Sequence, residues 1–194
     1  MQEVTDLKKS FEGVEYLMKT GTQKIIPCLT FNYQAEEAVN FYVSIFSTIF
    51  ENTKVLNIAR YNKEELEALS YLPEDIRPGP PGSVRTIRFL LNGQEFEAVN
   101  GGAFFKFCEG ISLYVSCESQ EEINWLWEKL SEGGEKNQCG WLKDKYGVSW
   151  QIAPAIVDEM LNDPDTEKSK RVIIAVYGMK KYDIEALKRA YEGR

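Results

Sequence analysis

Ala35-Glu-Glu-Ala38 and Gln120-Glu-Glu-Ile123 each open an amphipathic helix, and the same order of elements surrounds both. The first helix follows a strand-like run, Lys24 to Phe31, in which Pro27 marks an edge or a strand start. Glu36 and Glu37 suit its positive end, and Ala38, Phe41, Tyr42, Ile45 and Phe46 form its apolar face. The second follows Ile111 to Cys117, which alternates apolar with polar residues. Ser119 and Glu122 have the spacing of a capping box there, and Ile123, Trp125, Leu126, Trp127 and Leu130 form the apolar face before Gly133-Gly134. A strand over 54–61 and a hairpin, 84–91 and 94–100 around Asn92-Gly93, follow the first helix. Two short strands, 139–143 and 148–153, joined by Asp144-Lys-Tyr-Gly147, follow the second. A strand–helix–three-strand unit cannot cover its own sheet, so two such units should pair. The expected class is α+β: two βαβββ modules forming a curved mixed sheet, helices on one face and a concave trough on the other.

Three segments lie outside this pattern. Val4, Leu7, Phe11, Val14 and Met18 recur at helical spacing, which predicts an amphipathic helix that packs on the main body or on a partner, ended by Gly21. Residues 62–83 interrupt the first module with a short helix, Glu64 to Leu72, and Arg77-Pro-Gly-Pro-Pro-Gly82; such an insertion is a lid or a spacer. After Pro154 the pattern predicts helices over 155–162, 164–180 and 183–192, with Asp163 as N-cap ahead of Pro164. Val172, Val176 and Met179 line one inner face, and Ile184, Leu187 and Tyr191 another. The expected organisation is an N-terminal extension (1–23), paired modules (24–105 and 106–154), and a helical segment (155–194) packed on the same domain.

The 194 residues are 43% hydrophobic and carry a formal net charge of −7, a globular composition poorly suited to nucleic acid or an anionic membrane surface. Nothing resembles a secretory signal or a membrane span. There is no histidine, which excludes Ser-His-Asp and Cys-His centres and removes the commonest metal ligand. Cys28, Cys108, Cys117 and Cys139 form no CxxC pair and read as reduced thiols of a cytoplasmic protein.

Several segments resemble the PhnB-like branch of the vicinal oxygen chelate superfamily, which includes glyoxalase I, bleomycin-resistance proteins and extradiol dioxygenases. They are Ala35 to Tyr42, Gly82-Ser-Val84, Asn92-Gly-Gln-Glu-Phe96, Asn100-Gly-Gly102, Phe105-Lys-Phe107 and Gly140 to Gln151, in the right order over about 24–192. The resemblance implies the paired βαβββ fold and usually a homodimer. Members of this branch often carry a demethylubiquinone methyltransferase label; the sequence has no Gly-x-Gly-x-x-Gly loop on a strand–helix turn to hold a nucleotide-like cofactor. The resemblance also implies four metal-ligand positions, which fall at Pro27, Glu97, Gly110 and Gln151. Only Glu97 is an anionic ligand, so the expectation is no metal and no cofactor.

Strand alternation from those positions assigns Leu29, Phe31, Glu95, Val99, Ser112, Tyr114, Ser116, Ser149 and Gln151 to the trough, with Arg88 and Trp141 reaching it. Cys28, Phe96, Ala98, Ile111, Leu113, Val115, Trp150 and Ile152 then face the helices. A lining of aromatic, hydroxyl and carboxylate groups suits a small organic ligand. The expected function is metal-free binding of such a molecule. The alternatives are a lyase or isomerase-type enzyme using Glu97 as general base, and a dimerisation or partner-binding domain.

Overall fold

The computed structural model describes residues 23–194; the expected helix over 3–19 lies outside the described residues. The first module comprises β1 (Cys28–Phe31), α1 (Ala35–Phe46), β2 (Lys54–Arg60), α2 (Lys63–Ala68), β3 (Val84–Leu91) and β4 (Gln94–Asn100). The second comprises β5 (Leu113–Cys117), α3 (Gln120–Leu130), β6 (Glu135–Lys136), β7 (Trp141–Lys143) and β8 (Ser149–Pro154). Their sheets are ordered β1-β4-β3-β2 and β5-β8-β7-β6. In each, the first strand runs parallel to the last and the other pairings are antiparallel. The identical order in both sheets establishes the repeated βαβββ unit. Among the described residues the strands divide into two four-stranded sheets, with β1 and β2 at the edges of one and β5 and β6 at the edges of the other. Pro27 sits just ahead of β1, where a missing N–H costs nothing, and its carbonyl still accepts the Glu97 N–H at 2.9 Å.

Local chemistry fixes most boundaries. Asn92 and Gly93 both take positive φ (48° and 80°), the backbone a two-residue hairpin turn requires, and β3 and β4 match the expected limits. Helix α1 has no side-chain cap from Gln34; the Asn100 side chain at the end of β4 accepts the Ala35 N–H instead, at 3.0 Å. At α3 the expected capping box is half formed. Ser119 accepts the Glu122 N–H, but the Glu122 carboxylate reaches one residue further, to the Glu118 N–H. The complete capping box is at α2, between Asn62 and Glu65. The two-residue strand β6 was not expected, because Glu135 and Lys136 carry no apolar signal.

The 62–83 insertion is pinned to the first module. Arg60, paired with Glu36 on α1, donates to the Gly82 carbonyl at 3.0 Å, Arg85 pairs with Glu65 at 2.6 Å, and the Tyr33 hydroxyl donates to the Arg77 carbonyl at 2.6 Å. The C-terminal helices are α4 (Ile156–Leu161), α5 (Thr166–Tyr177) and α6 (Ile184–Glu192). Asp165, not Asp163, caps α5, because the Asp163 carboxylate takes the Tyr191 hydroxyl instead. Val172, Val176 and Leu187 are buried, and Gln120 ties the start of α6 to α3 through the Tyr182 carbonyl (3.0 Å) and the Ile184 N–H (2.9 Å).

The two modules meet through α1, α3 and the turn between β7 and β8. Helices α1 and α3 pack together, and Trp125 Nε1 donates to the Ile45 carbonyl at 3.0 Å. Beside them lies the turn between β7 and β8. There the buried Asp144 carboxylate accepts four hydrogen bonds: Tyr42 Oη (2.7 Å), Trp150 Nε1 (2.8 Å), Tyr146 N (2.8 Å) and Val148 N (3.0 Å). Tyr42 comes from α1 of the first module, so this carboxylate joins the two units inside an aromatic cluster of Phe41, Tyr42, Phe46, Tyr146 and Trp150. Burial lifts the Asp144 carboxyl above the usual range, against the pull of its four donors.

Candidate functional site

Strand register places one row of side chains across the whole first sheet: Cys28 is opposite Glu97, Glu97 opposite Arg88, and Arg88 opposite Asn57. Their strand neighbours Leu29, Phe96, Ala98, Ile87 and Phe89 are buried toward α1, so the row lies on the outer face. Arg88 is clamped there by two carboxylates. Its Nε donates to Glu97 Oε2 at 2.6 Å and its Nη1 to Glu95 Oε1 at 2.8 Å. The other Glu97 oxygen accepts from the Cys28 thiol at 3.7 Å. Burial, then the Glu97 charge, pushes the thiol above its ordinary value, so Cys28 is protonated at neutral pH and is no thiolate nucleophile. Two carboxylates against one guanidinium give the cluster a formal charge of −1.

The structure corrects the reading of β1. Leu29 and Phe31 point inward, 8% and 2% exposed, and Cys28 and Thr30 take the outer face. The implied ligand position at Pro27 shifts every side chain of the strand to the wrong face, because the period is two. The Cys-Leu-Thr-Phe alternation carries the right answer, since its two large apolar residues belong to the core. Glu95, Glu97, Val99 and Arg88 share the outer face as expected. Asn57 was missed; nothing in Lys54 to Arg60 distinguishes it before its register with Arg88 is known.

In the second sheet, Tyr114, Gln151 and Trp141 stand in one cross-strand row facing away from α3, where Trp150 and Ile152 are buried. Gln151 Nε2 donates to Ser112 Oγ at 2.7 Å, and Ser116 is exposed on the same strand. Ser149 shares this face but is 3% exposed, its hydroxyl without a protein partner, so it lines no open surface. Among the described residues no hydrogen bond or ion pair joins the Arg88 cluster to the Tyr114–Gln151 group.

The donor set does not suit the metal that the resemblance implies. In register, Cys28 rather than Pro27 stands beside Glu97; Gly110 lies ahead of β5 and has no side chain; Gln151 is a neutral amide in the other sheet. Glu97 is already engaged by Arg88 and Cys28. Among the described residues no group of three or more acidic, thiol or imidazole side chains is placed to hold a metal ion.

This fold, with a polar row on the outer face of each βαβββ sheet, is that of the PhnB-like, glyoxalase-fold proteins. The model of the family described as 3-demethylubiquinone-9 3-methyltransferase matches residues 23–153, and the chain belongs to that family. Among solved structures it is similar to a PhnB protein from Bacillus cereus that carries the same methyltransferase label, with 37% identity, 69% of this chain and 100% of that chain covered, and a TM-score of 0.57. Protein PA1353 from Pseudomonas aeruginosa shares the fold at 19% identity, with 69% and 98% covered and a TM-score of 0.51. No curated protein matches the chain. The family match ends before α4, so the C-terminal helices are additions to the shared unit.

Proposed function

We propose that this protein binds a small neutral or cationic organic molecule, without a metal, on the outer sheet face around the Cys28–Glu97–Arg88 row. One observation carries the reading: Arg88 is fixed by two carboxylates yet spends only two of its five N–H donors on them. The remaining donors offer a positioned contact for a carbonyl-type oxygen, and the surplus negative charge disfavours phosphate and carboxylate ligands. Tyr114, Trp141, Ser112, Ser116 and Gln151 supply the aromatic and hydroxyl surface that such a ligand uses. The Arg88 side chain is 38% exposed and open to a ligand, and in this reading a cytoplasmic homodimer, the assembly that the family resemblance implies, supplies the opposite wall of the trough. Glu97 has both oxygens engaged, which favours a binding role over a general base. Methyl transfer is not part of this reading, because the sequence offers no loop for a nucleotide-like methyl donor.

The test is a thermal-shift screen of small organic fragments, neutral, cationic and anionic, on the wild type and on Arg88→Met. A ligand at a hundred times its Kd stabilises by about 2.7 kcal/mol, which the screen resolves. Neutral or cationic hits that vanish in Arg88→Met support the reading. Hits that are mainly anionic, or indifferent to Arg88→Met, overturn it. If a hit is turned over, loss of turnover with retained binding in Glu97→Gln makes the protein an enzyme.

A further inference from the structure

The outer face of the first sheet continues past the Arg88 row. One row further along, Thr30, Val99 and Thr86 stand in register, a floor of methyl groups with two hydroxyls. Beyond them β4 runs into Gly101, whose N–H donates to the Phe31 carbonyl at 3.0 Å and so extends the ladder past Asn100. Alternation puts Gly101 on the same face as Glu97 and Val99. A Cβ there would lie 2.4 Å from Thr30 Cγ2 and 2.7 Å from the Phe105 ring. The absent side chain lets the Phe105 ring lie on the end of this face, beside the Thr30 methyl.

An apolar pocket of about 500 Å³ opens at that end, lined by Gly101, Phe104, Phe105, Pro73 and Ile76, none of which carries a polar side chain. Phe104 is 69% and Phe105 50% exposed, and their rings meet edge to face with centroids 5.3 Å apart. Two large aromatic side chains left in water beside an apolar wall make a surface suited to an apolar group. Pro73 and Ile76 come from the 62–83 insertion, around its single 3₁₀ turn, Glu74–Ile76. That wall is held in place. Arg77, next to Ile76, donates to the Ser70 and Leu72 carbonyls at 3.0 and 2.7 Å, and its own carbonyl accepts the Tyr33 hydroxyl. Gly101 is four residues beyond Glu97 along β4, a distance of about 13 Å.

We propose that this pocket takes the apolar end of the same ligand whose oxygen Arg88 holds. The inference rests on the Arg88 reading and names the ligand class: an elongated molecule with a neutral, oxygen-bearing head and an alkyl or aryl tail that reaches about 13 Å from it. The Thr30–Val99–Thr86 row is the floor between the two ends. Phe104 and Ile76 then determine specificity for the tail, and the insertion is the end wall of the trough. One strand face runs from a polar anchor at one end to an apolar recess at the other, which is the shape of a single extended molecule. A short polar molecule would leave the recess in water and gain nothing from it.

The test is the binding of N-alkylacetamides, from butyl to octyl, to the full chain, with Kd read by titration of backbone amide chemical shifts. The head is constant, and each CH₂ that becomes buried lowers Kd about fourfold. The proposal expects that fall along the series in the wild type. Phe104→Ser and Ile76→Ser, both at exposed side chains, should flatten the steps from hexyl to octyl and leave butyl unchanged. Arg88→Met should weaken every member by one common factor. No binding by the octyl member, a Kd independent of chain length, or a length dependence that survives both serine variants overturns the subsite; the Arg88 reading is then judged by whether Arg88→Met weakens butyl. A length dependence that the serine variants remove and Arg88→Met leaves untouched overturns the Arg88 reading, and with it the single spanning ligand. Loss of a dimer in Phe104→Ser with the length dependence intact assigns the pocket to a second copy and overturns the subsite.

Discussion

Replacing Asp144 by alanine should be among the most damaging single changes in this protein. The carboxylate holds four donors, two of them side chains in the core: Tyr42 is 0% exposed and Trp150 1%. Truncation leaves the Tyr42 hydroxyl, the Trp150 indole N–H and the Val148 N–H buried without partners. Each orphaned donor costs about 1–3 kcal/mol, so three cost about 3–9 kcal/mol, and partial relaxation of the cluster lowers the sum to about 3–6 kcal/mol. Against a total stability of about 5–15 kcal/mol, that is a large fraction. For a chain of this length, 1 kcal/mol moves Tm by about 2–4 °C, so the loss is about 6–24 °C. The assay is thermal and urea unfolding followed by near-UV circular dichroism, which reports Tyr42 and Trp150 directly. Asp144→Asn should fall between: the Tyr42 hydroxyl can turn to accept from the amide, but the Trp150 N–H can only donate. A Tm within about 2 °C of wild type for Asp144→Ala would refute the account of how the modules are joined.

The same residue sets a pH dependence. Its folded pKa is raised, so folding favours the protonated form; that stability is present below the unfolded carboxyl value and lost as pH rises through the folded one. The wild type should therefore gain on Asp144→Asn as pH falls from neutral toward about 4, measured by urea midpoints. Arg88→Met leaves Glu95 and Glu97 facing each other without their shared cation; because all three side chains are partly exposed, the loss should be about 1–2 kcal/mol, read by chemical denaturation. Gly134→Ala should abolish or cripple folding, by more than about 3 kcal/mol, since the added Cβ would lie 2.0 Å from the Lys143 carbonyl oxygen; soluble yield and Tm report it. Ser149→Ala should be neutral or stabilising by up to about 1 kcal/mol, because it removes a buried hydroxyl that has no protein partner.

The fold was legible because its signals are local. The Asn92-Gly93 turn fixes a hairpin by backbone conformation alone, and the two helix faces announce themselves by spacing. What escaped depends on groups distant in sequence. Asn100 caps α1 from another strand, and Asp144 finds Tyr42 from the other module; neither can be inferred from neighbours along the chain. The candidate site was half legible. Glu95, Glu97 and Arg88 fell on one face because hairpin register follows from the turn. Cys28 was missed because β1 joins β4 in parallel, without a turn to set register, and its own apolar alternation was overruled by a ligand position assigned to Pro27. Asn57 enters the row only through the irregular pairing of β2 with β3.

The central claim is that Arg88 and its carboxylates, not a metal, organise the outer face. Elemental analysis of untagged protein purified without chelator tests it most directly. The account predicts less than about a tenth of an equivalent of any divalent transition metal; near-stoichiometric metal would contradict it and require Glu97 to leave Arg88 for the ion.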